Sequence, residues 1–196
     1  MPDNKDWTGN KKSTFATLGA SNHSEHDREI NDYYATEPNT IDALFKMENF
    51  EGNIWECACG EGHLSKRMIE LGKEVISTDL INRGYGISDI DFLKQTKSHG
   101  NNIVTNPPYK YAQEFVEKAI ELSSNKIAMF LKLTFLEGQK RRKMFDKHPP
   151  KYVYVFSQRK KCALNGKFED TGSSAAAYAW FVWYKDCKGD TTIKWI

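Results

Sequence analysis

The tetrapeptide Asn106-Pro107-Pro108-Tyr109 has the residue types that chemistry on an amino group requires. The Asn106 side-chain oxygen and the Pro107 carbonyl are two acceptors for the two N–H bonds of an exocyclic amine on a heteroaromatic ring. Prolines suit this position because they fix φ and add no competing N–H. Tyr109 can stack on the ring that carries the amine. We therefore take the tetrapeptide as the catalytic candidate; an ordinary proline turn is the alternative.

A glycine-rich turn, Glu56-Cys57-Ala58-Cys59-Gly60-Glu61-Gly62, forms a second candidate site. Gly60 and Gly62 permit a sharp turn and a close approach of the backbone to a ligand. Asp79 follows at the end of the next apolar run, where an acidic residue typically accepts hydrogen bonds from a ribose diol. The turn lacks the lysine of a phosphate-binding loop and contains an acidic residue. It favours a cationic nucleoside ligand, with a plain tight turn as the alternative.

Short apolar runs that alternate with helical patterns position these residues. Strands are predicted over residues 53–59, 74–79, 101–105, 127–133, 152–156 and 175–184, with 191–195 beside the last. Helices are predicted after a cap at Thr36 and over residues 64–71, 111–122 and 135–147. This alternation predicts an α/β fold with a mostly parallel sheet and helices on both faces. Ligands bind such sheets at the carboxyl ends of the strands, so we expect both candidate sites in one cleft.

The length of 196 residues fits one domain, which we place at residues 31–196. Residues 1–30 are polar without periodicity and predict a flexible arm. Residues 158–174, between two strands, form the candidate substrate-recognition loop. The chain has no apolar run long enough for a bilayer and no signal peptide, so we expect a cytoplasmic protein without a membrane partner. Its four cysteines include no C-x-x-C pair, and we expect reduced buried thiols and no metal.

Positive charge is concentrated between residues 126 and 167. Nine lysines and three arginines there are opposed by two acidic residues, which gives 12 − 2 = +10, and the rest of the chain therefore carries 2 − 10 = −8. Such a segment can hold a polyanion, which makes nucleic acid the expected partner. A solvated helix face bearing Lys140, Arg141, Arg142 and Lys143 explains the charge equally well.

The glycine-rich turn resembles the first motif, E-x-A-x-G-x-G, of class I S-adenosylmethionine-dependent methyltransferases. The tetrapeptide and its place after that motif resemble DNA amino-methyltransferases, in particular compact adenine-N6 enzymes of phages and mobile elements. The resemblance covers residues 33–185 and implies one Rossmann-like domain with an antiparallel C-terminal strand. It also implies direct in-line methyl transfer from S-adenosylmethionine to N6 of a flipped adenine in DNA, without a metal, in a bacterial cell or phage-infected host. Modification of DNA against restriction is the biological role that it implies.

The resemblance also assigns roles to individual residues of this sequence. It implies cofactor contacts by Tyr33, Tyr34, Thr36, Pro38, Glu56, Cys57, Ala58, Gly60, Gly62, Asp79, Leu80, Asp91, Phe92 and Asn106. It implies catalysis by Asn106, Pro107, Pro108 and Tyr109, and substrate contacts by Tyr109, Lys110, Arg159, Lys160, Lys161 and Phe168. For Asp91, the alternative to a cofactor contact is a role as a helix cap. For the segment that begins at Tyr33, the alternative is the start of a packed helix.

Three alternatives remain open from the sequence. The same tetrapeptide resembles motifs of enzymes that methylate RNA bases or a protein glutamine. The chain is also compatible with an inactive module that only binds nucleic acid. The length leaves no room for a separate target-recognition domain, so we expect relaxed specificity or a homodimer that reads DNA jointly.

Replacing Lys160 and Lys161 together with alanine should weaken nucleic-acid binding more at about 50 mM than at about 200 mM salt, because lysine–phosphate contacts release counterions. Fluorescence anisotropy of a labelled duplex measures this. The same replacement of Lys185 and Lys188, outside the basic segment, is the control. A loss of affinity that does not depend on salt would contradict the basic-surface hypothesis.

Overall fold

The apolar runs of the sequence form the strands of a seven-stranded sheet and a separate two-stranded ladder. The computed structural model describes residues 34–160, 162–164 and 176–196. The strands are β1 Tyr34–Thr36, β2 Ile54–Glu56, β3 Val75–Ser77, β4 Asn102–Thr105, β5 Lys126–Lys132, β6 Tyr152–Val155, β7 Cys162–Leu164, β8 Tyr178–Tyr184 and β9 Thr192–Trp195. The helices are α1 Asn39–Met47, α2 His63–Glu70, α3 Ala112–Leu122 and α4 Gln139–Lys147, with 3-10 turns at Phe92–Lys94, Tyr109–Tyr111 and Leu133–Leu136. The predicted arm, residues 1–30, lies outside the described residues.

The strand order in the large sheet is β3-β2-β4-β5-β8-β6-β9. Only β8 runs antiparallel to its neighbours, β5 and β6, whereas the other pairs are parallel. This confirms the predicted mostly parallel sheet with one antiparallel C-terminal strand. The predicted place of residues 191–195 beside β8 is wrong. Both edges of β8 are occupied, so β9 pairs with the outer edge of β6, with Ile193 opposite Val153.

Helices cover both faces of the sheet, as predicted. Strand side chains alternate between the faces, and apolar residues on each face need a covering layer. In β8, Ala179, Phe181 and Trp183 join one hydrophobic cluster, and Tyr178, Trp180 and Val182 join the other. The first cluster includes residues of α3 and α4, namely Phe115, Val116, Ala119 and Met144. The second includes residues of α1 and α2, namely Ile41, Leu44, Leu64 and Met68. The sheet therefore has a buried core on each side.

Two predicted helix boundaries are wrong. Thr36 does not cap α1; it is the last residue of β1, and α1 begins at Asn39 after Pro38. The predicted helix 135–147 is interrupted by Gly138, whose φ of 107° lies in a region that other residues rarely adopt. A 3-10 turn therefore precedes Gly138, and α4 follows it.

One buried carboxylate connects α1 with three strands. Glu48, 5% exposed at the end of α1, accepts hydrogen bonds from the hydroxyls of Tyr154 at 2.6 Å and Tyr184 at 2.8 Å. Lys126 Nζ lies 2.7 Å from the same carboxylate. Burial and the bond to Glu48 raise the pKa of both tyrosine hydroxyls. The group thus holds α1 against β5, β6 and β8.

The Glu48→Ala variant should lose about 3 kcal/mol of unfolding free energy, because it leaves a partly buried ammonium and two hydroxyls without their acceptor. Urea denaturation measures the loss. Glu121→Ala breaks an exposed ion pair with Lys118 and is the control, with a much smaller expected effect. Equal losses in the two variants would show that the buried group is not a main source of stability.

Candidate functional site

A cavity of about 460 Å³ lies at the carboxyl ends of β2, β3 and β4. This volume is within the range of sites for small ligands. Its described lining includes residues of both sequence candidates, the glycine-rich turn and the tetrapeptide. The predicted residues in that lining are Thr36, Glu56, Cys57, Ala58, Asp79, Leu80, Asp91, Phe92, Asn106, Pro107, Pro108, Tyr109 and Lys110. The two candidates therefore form one site, as expected from the strand ends.

The glycine-rich turn is held to the next strand by Asp79. The N–H of Gly60 donates to Asp79 Oδ2 at 2.8 Å, and the N–H of Ile81 donates to Oδ1 at 2.9 Å. Gly60 and Gly62 have φ values of 55° and 81°. A Cβ at Gly62 would collide with the ring of Tyr85, and its φ is one that side chains rarely adopt, so glycine is strongly favoured there. These two glycines shape the turn and are not among the cavity-lining residues.

Glu56, the last residue of β2, is a buried carboxyl group at the start of the glycine-rich turn. It is 2% exposed, lines the cavity, and accepts a hydrogen bond from Ser65, which also contacts Ser77 Oγ at 2.6 Å. Burial, opposed by the bond from Ser65 and assisted by the charge of Asp79, raises the pKa of Glu56 to about 8. Glu56 is therefore mostly protonated at neutral pH, and a nearby cation would favour its charged form.

The cysteines of the turn are buried thiols. Burial raises the pKa of Cys57 well above its usual value and that of Cys59 to about 12. Both are free and buried, as predicted, whereas Cys187 is free but only partly buried, so the prediction of a buried thiol is wrong there. The side chain of Cys162 lies outside the described part of the chain. Since the thiolate is the reactive form, neither Cys57 nor Cys59 is suited to act as a nucleophile at neutral pH.

Asp91 and Phe92 line the cavity from the segment between β3 and β4. Asp91 Oδ1 accepts the N–H of Leu93 at 3.0 Å, and Oδ2 lies 3.2 Å from Lys94 Nζ. The helix-cap alternative for Asp91 is thus realised in a residue that also faces the cavity. Phe92 is 2% exposed and packs against Trp55 and Phe115, with ring centroids 5.1 and 4.8 Å away. Its ring is fixed by the core.

The tetrapeptide follows β4 directly, and both of its polar side chains are held by other elements. Asn106 Nδ2 donates to Thr36 Oγ1 at 2.8 Å. The hydroxyls of Tyr109 and Tyr178 are 2.9 Å apart, and Lys132 Nζ lies 4.2 Å from the centroid of the Tyr109 ring. Lys132 and Tyr178 are paired positions of β5 and β8. The Tyr109 ring is therefore fixed by a cross-strand pair that the sequence motifs did not indicate.

Several predicted residues lie away from the cavity or outside the described residues. Pro38 and Arg159 are not among its lining residues. Lys160 Nζ lies 3.3 Å from Asn39 Oδ1 and 5.0 Å from the centroid of the Phe156 ring. Tyr33, Lys161 and Phe168, the side chain of Tyr34, and most of the predicted loop 158–174 fall outside the described part of the chain.

The cavity also contains residues that the sequence did not single out. These are Ala35, His63, Leu64, Ile81, Arg83, Ile90, Leu93, Tyr111 and Phe115. Most are next to a predicted residue in the chain, so proximity to the motifs was the available signal. Arg83 had no such signal, because it belongs to no motif and no periodic pattern.

Part of the basic segment is engaged within the fold. Lys126 is paired with Glu48, and the Arg142 Nε is paired with Asp146 at 2.7 Å. The guanidinium of Arg141 lies 5.3 Å from the Phe135 ring centroid. α4 has one buried residue, Met144, so most of its surface faces solvent. The solvated-face alternative therefore accounts for part of the charge. Lys132 of the segment lies over the Tyr109 ring, and Lys110, outside the segment, lines the cavity.

Within residues 34–160, 162–164 and 176–196, no three His, Cys, Asp or Glu side chains are grouped as a metal site. The same part of the chain contains no helix with the length and apolar character needed to cross a bilayer.

The comparison with known proteins rests on solved structures. No family model matches the chain, and no curated protein matches its sequence. A proposed RNA methyltransferase from Pyrococcus horikoshii aligns with a TM-score of 0.61 at 15% identity, covering 90% of this chain and 98% of that one. A dimethyladenosine transferase from Plasmodium falciparum gives 0.54 at 14% identity, over 76% and 62%. The fold is that of class I methyltransferases.

A third structure with this class I methyltransferase fold was solved with bound S-adenosylmethionine. It is the magnesium protoporphyrin IX methyltransferase from Synechocystis, with a TM-score of 0.52 at 10% identity over 76% of this chain and 79% of that one. At these identities the likeness shows the fold alone.

The stability of the protein should fall as the pH rises from about 4.5 to about 8. The folded protein keeps a proton on Glu56 that the unfolded chain releases near the ordinary carboxyl pKa, so its contribution is complete below that pKa and is lost through pH 8. Between these two pH values, the contribution of Glu56 to the unfolding free energy falls by about 1.4 kcal/mol per pH unit. Urea denaturation of wild type and of Glu56→Gln at several pH values isolates this contribution.

The Glu56→Gln variant should lack this slope, and Glu51→Gln, which changes an exposed carboxyl, should keep the wild-type profile. A Glu56→Gln variant whose profile matches that of wild type would show that Glu56 ionises normally in the folded protein.

Proposed function

We propose that the protein transfers a methyl group from S-adenosylmethionine to the exocyclic N6 of adenine in DNA. The observation that carries this proposal is that one cavity is lined by the glycine-rich turn, by Asp79 and by the Asn106-Pro107-Pro108-Tyr109 tetrapeptide. A cofactor site and an acceptor site for an amine are then adjacent, as direct transfer between two bound molecules requires.

The described cofactor half fits a cationic nucleoside. Each oxygen of Asp79 accepts one backbone N–H and has capacity for a second bond, from a ribose hydroxyl. Glu56 is the buried acid that a ligand ammonium would bring into its charged form. Asp91 and Phe92 form the polar and apolar sides of a place for a purine ring. When bound, S-adenosylmethionine supplies an electrophilic methyl group on a sulfonium.

The acceptor half holds an amine without a strong base. The Asn106 amide nitrogen bonds to Thr36, so its oxygen is the end that can accept an N–H bond from the substrate. The Pro107 carbonyl is the second acceptor. The amine nitrogen would bond to the methyl group as the C–S bond breaks, leaving the thioether S-adenosylhomocysteine. These two dipoles would stabilise the positive charge that develops on the nitrogen, which then releases one proton to water. Tyr109, fixed by Tyr178 and Lys132, provides a rigid face on which a base can stack.

Nucleic acid is the proposed source of the amine because two lysines lie at this half of the cavity. Lys110 lines it and Lys132 lies over the Tyr109 ring. A base in a duplex cannot reach such a site, so the target adenine must be flipped out, at a cost of a few kcal/mol. We propose DNA as the substrate on the strength of the tetrapeptide's resemblance to DNA amino-methyltransferases. An RNA base is the second candidate, since two proteins of this fold are described as acting on RNA or adenosine.

The decisive experiment is transfer of radiolabelled methyl from S-adenosylmethionine to unmethylated duplex DNA, followed by nucleoside digestion and mass spectrometry. N6-methyladenine in DNA is the expected product. Parallel reactions with RNA and with a protein extract separate the alternatives. Label in RNA or in glutamine alone would overturn the choice of acceptor, and a lack of both cofactor binding and transfer would favour an inactive binding module.

The Asn106→Ala variant should keep its affinity for S-adenosylmethionine and lose about 10²-fold or more in turnover, because it lacks an acceptor that stabilises the transition state. Isothermal titration and single-turnover methyl transfer measure the two quantities. Asn101→Ala, at the exposed opposite end of β4, is the matched control and should behave as wild type. Near-normal turnover of Asn106→Ala would refute the catalytic role.

A further inference from the structure

Thr36 contacts the tetrapeptide although it precedes it by 70 residues. Its hydroxyl oxygen accepts the hydrogen bond from Asn106 Nδ2 at 2.8 Å, and the residue is 2% exposed. We infer that Thr36 is a positioning residue that orients the Asn106 amide for the reaction, an inference that rests on the proposed function. The resemblance assigned Thr36 to the cofactor, so the inferred role differs from the one that the motifs suggest.

The chemistry of an amide makes such an anchor necessary. Rotation of a primary amide by 180° exchanges its acceptor oxygen for an NH₂ group with two donors. An NH₂ group that faced the substrate amine would oppose donors with donors, and the acceptor needed in the transition state would be lost. The bond between Nδ2 and Thr36 Oγ1 holds the plane of the amide, and in the observed arrangement the amide oxygen is at the other end of that plane. Because a hydroxyl can also donate, Thr36 fixes the plane, and the observed Nδ2 contact gives the direction in which the amide points.

The position of Thr36 is set by elements outside the large sheet. It ends β1, which pairs with β7 in the two-stranded ladder, with Thr36 opposite Cys162. Asn106 is fixed by the end of β4 in the centre of the large sheet. The Thr36–Asn106 bond therefore joins two separate sheets at the site. A displacement of the β1–β7 ladder would therefore move Thr36 away from the Asn106 amide without requiring any change in the hydrophobic core of the large sheet.

Three variants at Thr36 test the inference. Thr36→Val keeps the shape and removes the acceptor, and it should lower kcat by about 10-fold or more. Thr36→Ser keeps the hydroxyl and should restore most of that loss. The affinity for S-adenosylmethionine, from isothermal titration, should stay within about two-fold of wild type in both, since the loss lies in the chemical step. Thr36→Ala repeats the measurement if the melting temperature of Thr36→Val falls.

A double-mutant cycle separates positioning from a general structural effect. If Thr36 acts through Asn106, the Thr36→Val change should cost little further turnover in an Asn106→Ala background. Independent, multiplicative losses would overturn the inference. A weaker cofactor affinity with unchanged kcat would also overturn it and make Thr36 a cofactor contact.

The controls distinguish this failure from failure of the proposed function. A wild-type protein that transfers no methyl group to DNA, RNA or protein would overturn the proposed function itself. A wild-type protein that methylates its substrate, together with an equally active Thr36→Val variant, would overturn only the role of Thr36.

The side-chain NH₂ signal of Asn106 in nitrogen-15 NMR gives a readout that does not depend on turnover. This signal should shift in the Thr36→Val variant and should change little in the Thr36→Ser variant.

Discussion

The parallel pairing of β2 with β4 is the constraint on which the site depends. Because the two strands run side by side in the same direction, the glycine-rich turn and the tetrapeptide leave the sheet at the same edge. The bond between Gly60 and Asp79 adds the end of β3 to this edge. Three segments that are distant in sequence are thereby placed around one cavity. The residues proposed to hold a nucleoside and those proposed to hold an amine are therefore neighbours in the fold.

Electrostatics divide this cavity into two halves. Glu56 and Asp79 are close enough for the charge of Asp79 to raise the pKa of Glu56, and burial keeps Glu56 largely neutral. On the other side, Lys132 of β5 lies over the Tyr109 ring, and Lys110, which follows the tetrapeptide, lines the cavity. The proposed function uses this difference, with a cationic cofactor at the first half and a polyanionic substrate at the second. This polarity follows from local burial and pairing, whereas the net charge of +2 says little about it.

The sequence predicted the parts of the site that depend on one segment at a time. Strand ends, the glycine turn and the tetrapeptide could be located because apolar runs and turn residues report local structure. That two of these segments share one cleft followed from the strand ends, but the individual side-chain contacts between segments could not be predicted. Thr36 was taken as a helix cap because its neighbours suit one, and its place in β1 depends on a partner strand more than a hundred residues later. The position of β9 likewise depends on which edges of β8 were already filled.

The two-stranded ladder of β1 and β7 also has a consequence for how the protein folds. Each strand has three residues, and Tyr34 is paired with Leu164, so the ladder closes a very long loop for few backbone bonds. Such a contact forms late and opens early relative to a seven-stranded core. The core can then be complete while Asn106 still lacks its contact with Thr36. Pairing of the ladder is then the step that brings Thr36 to its place in the cavity wall.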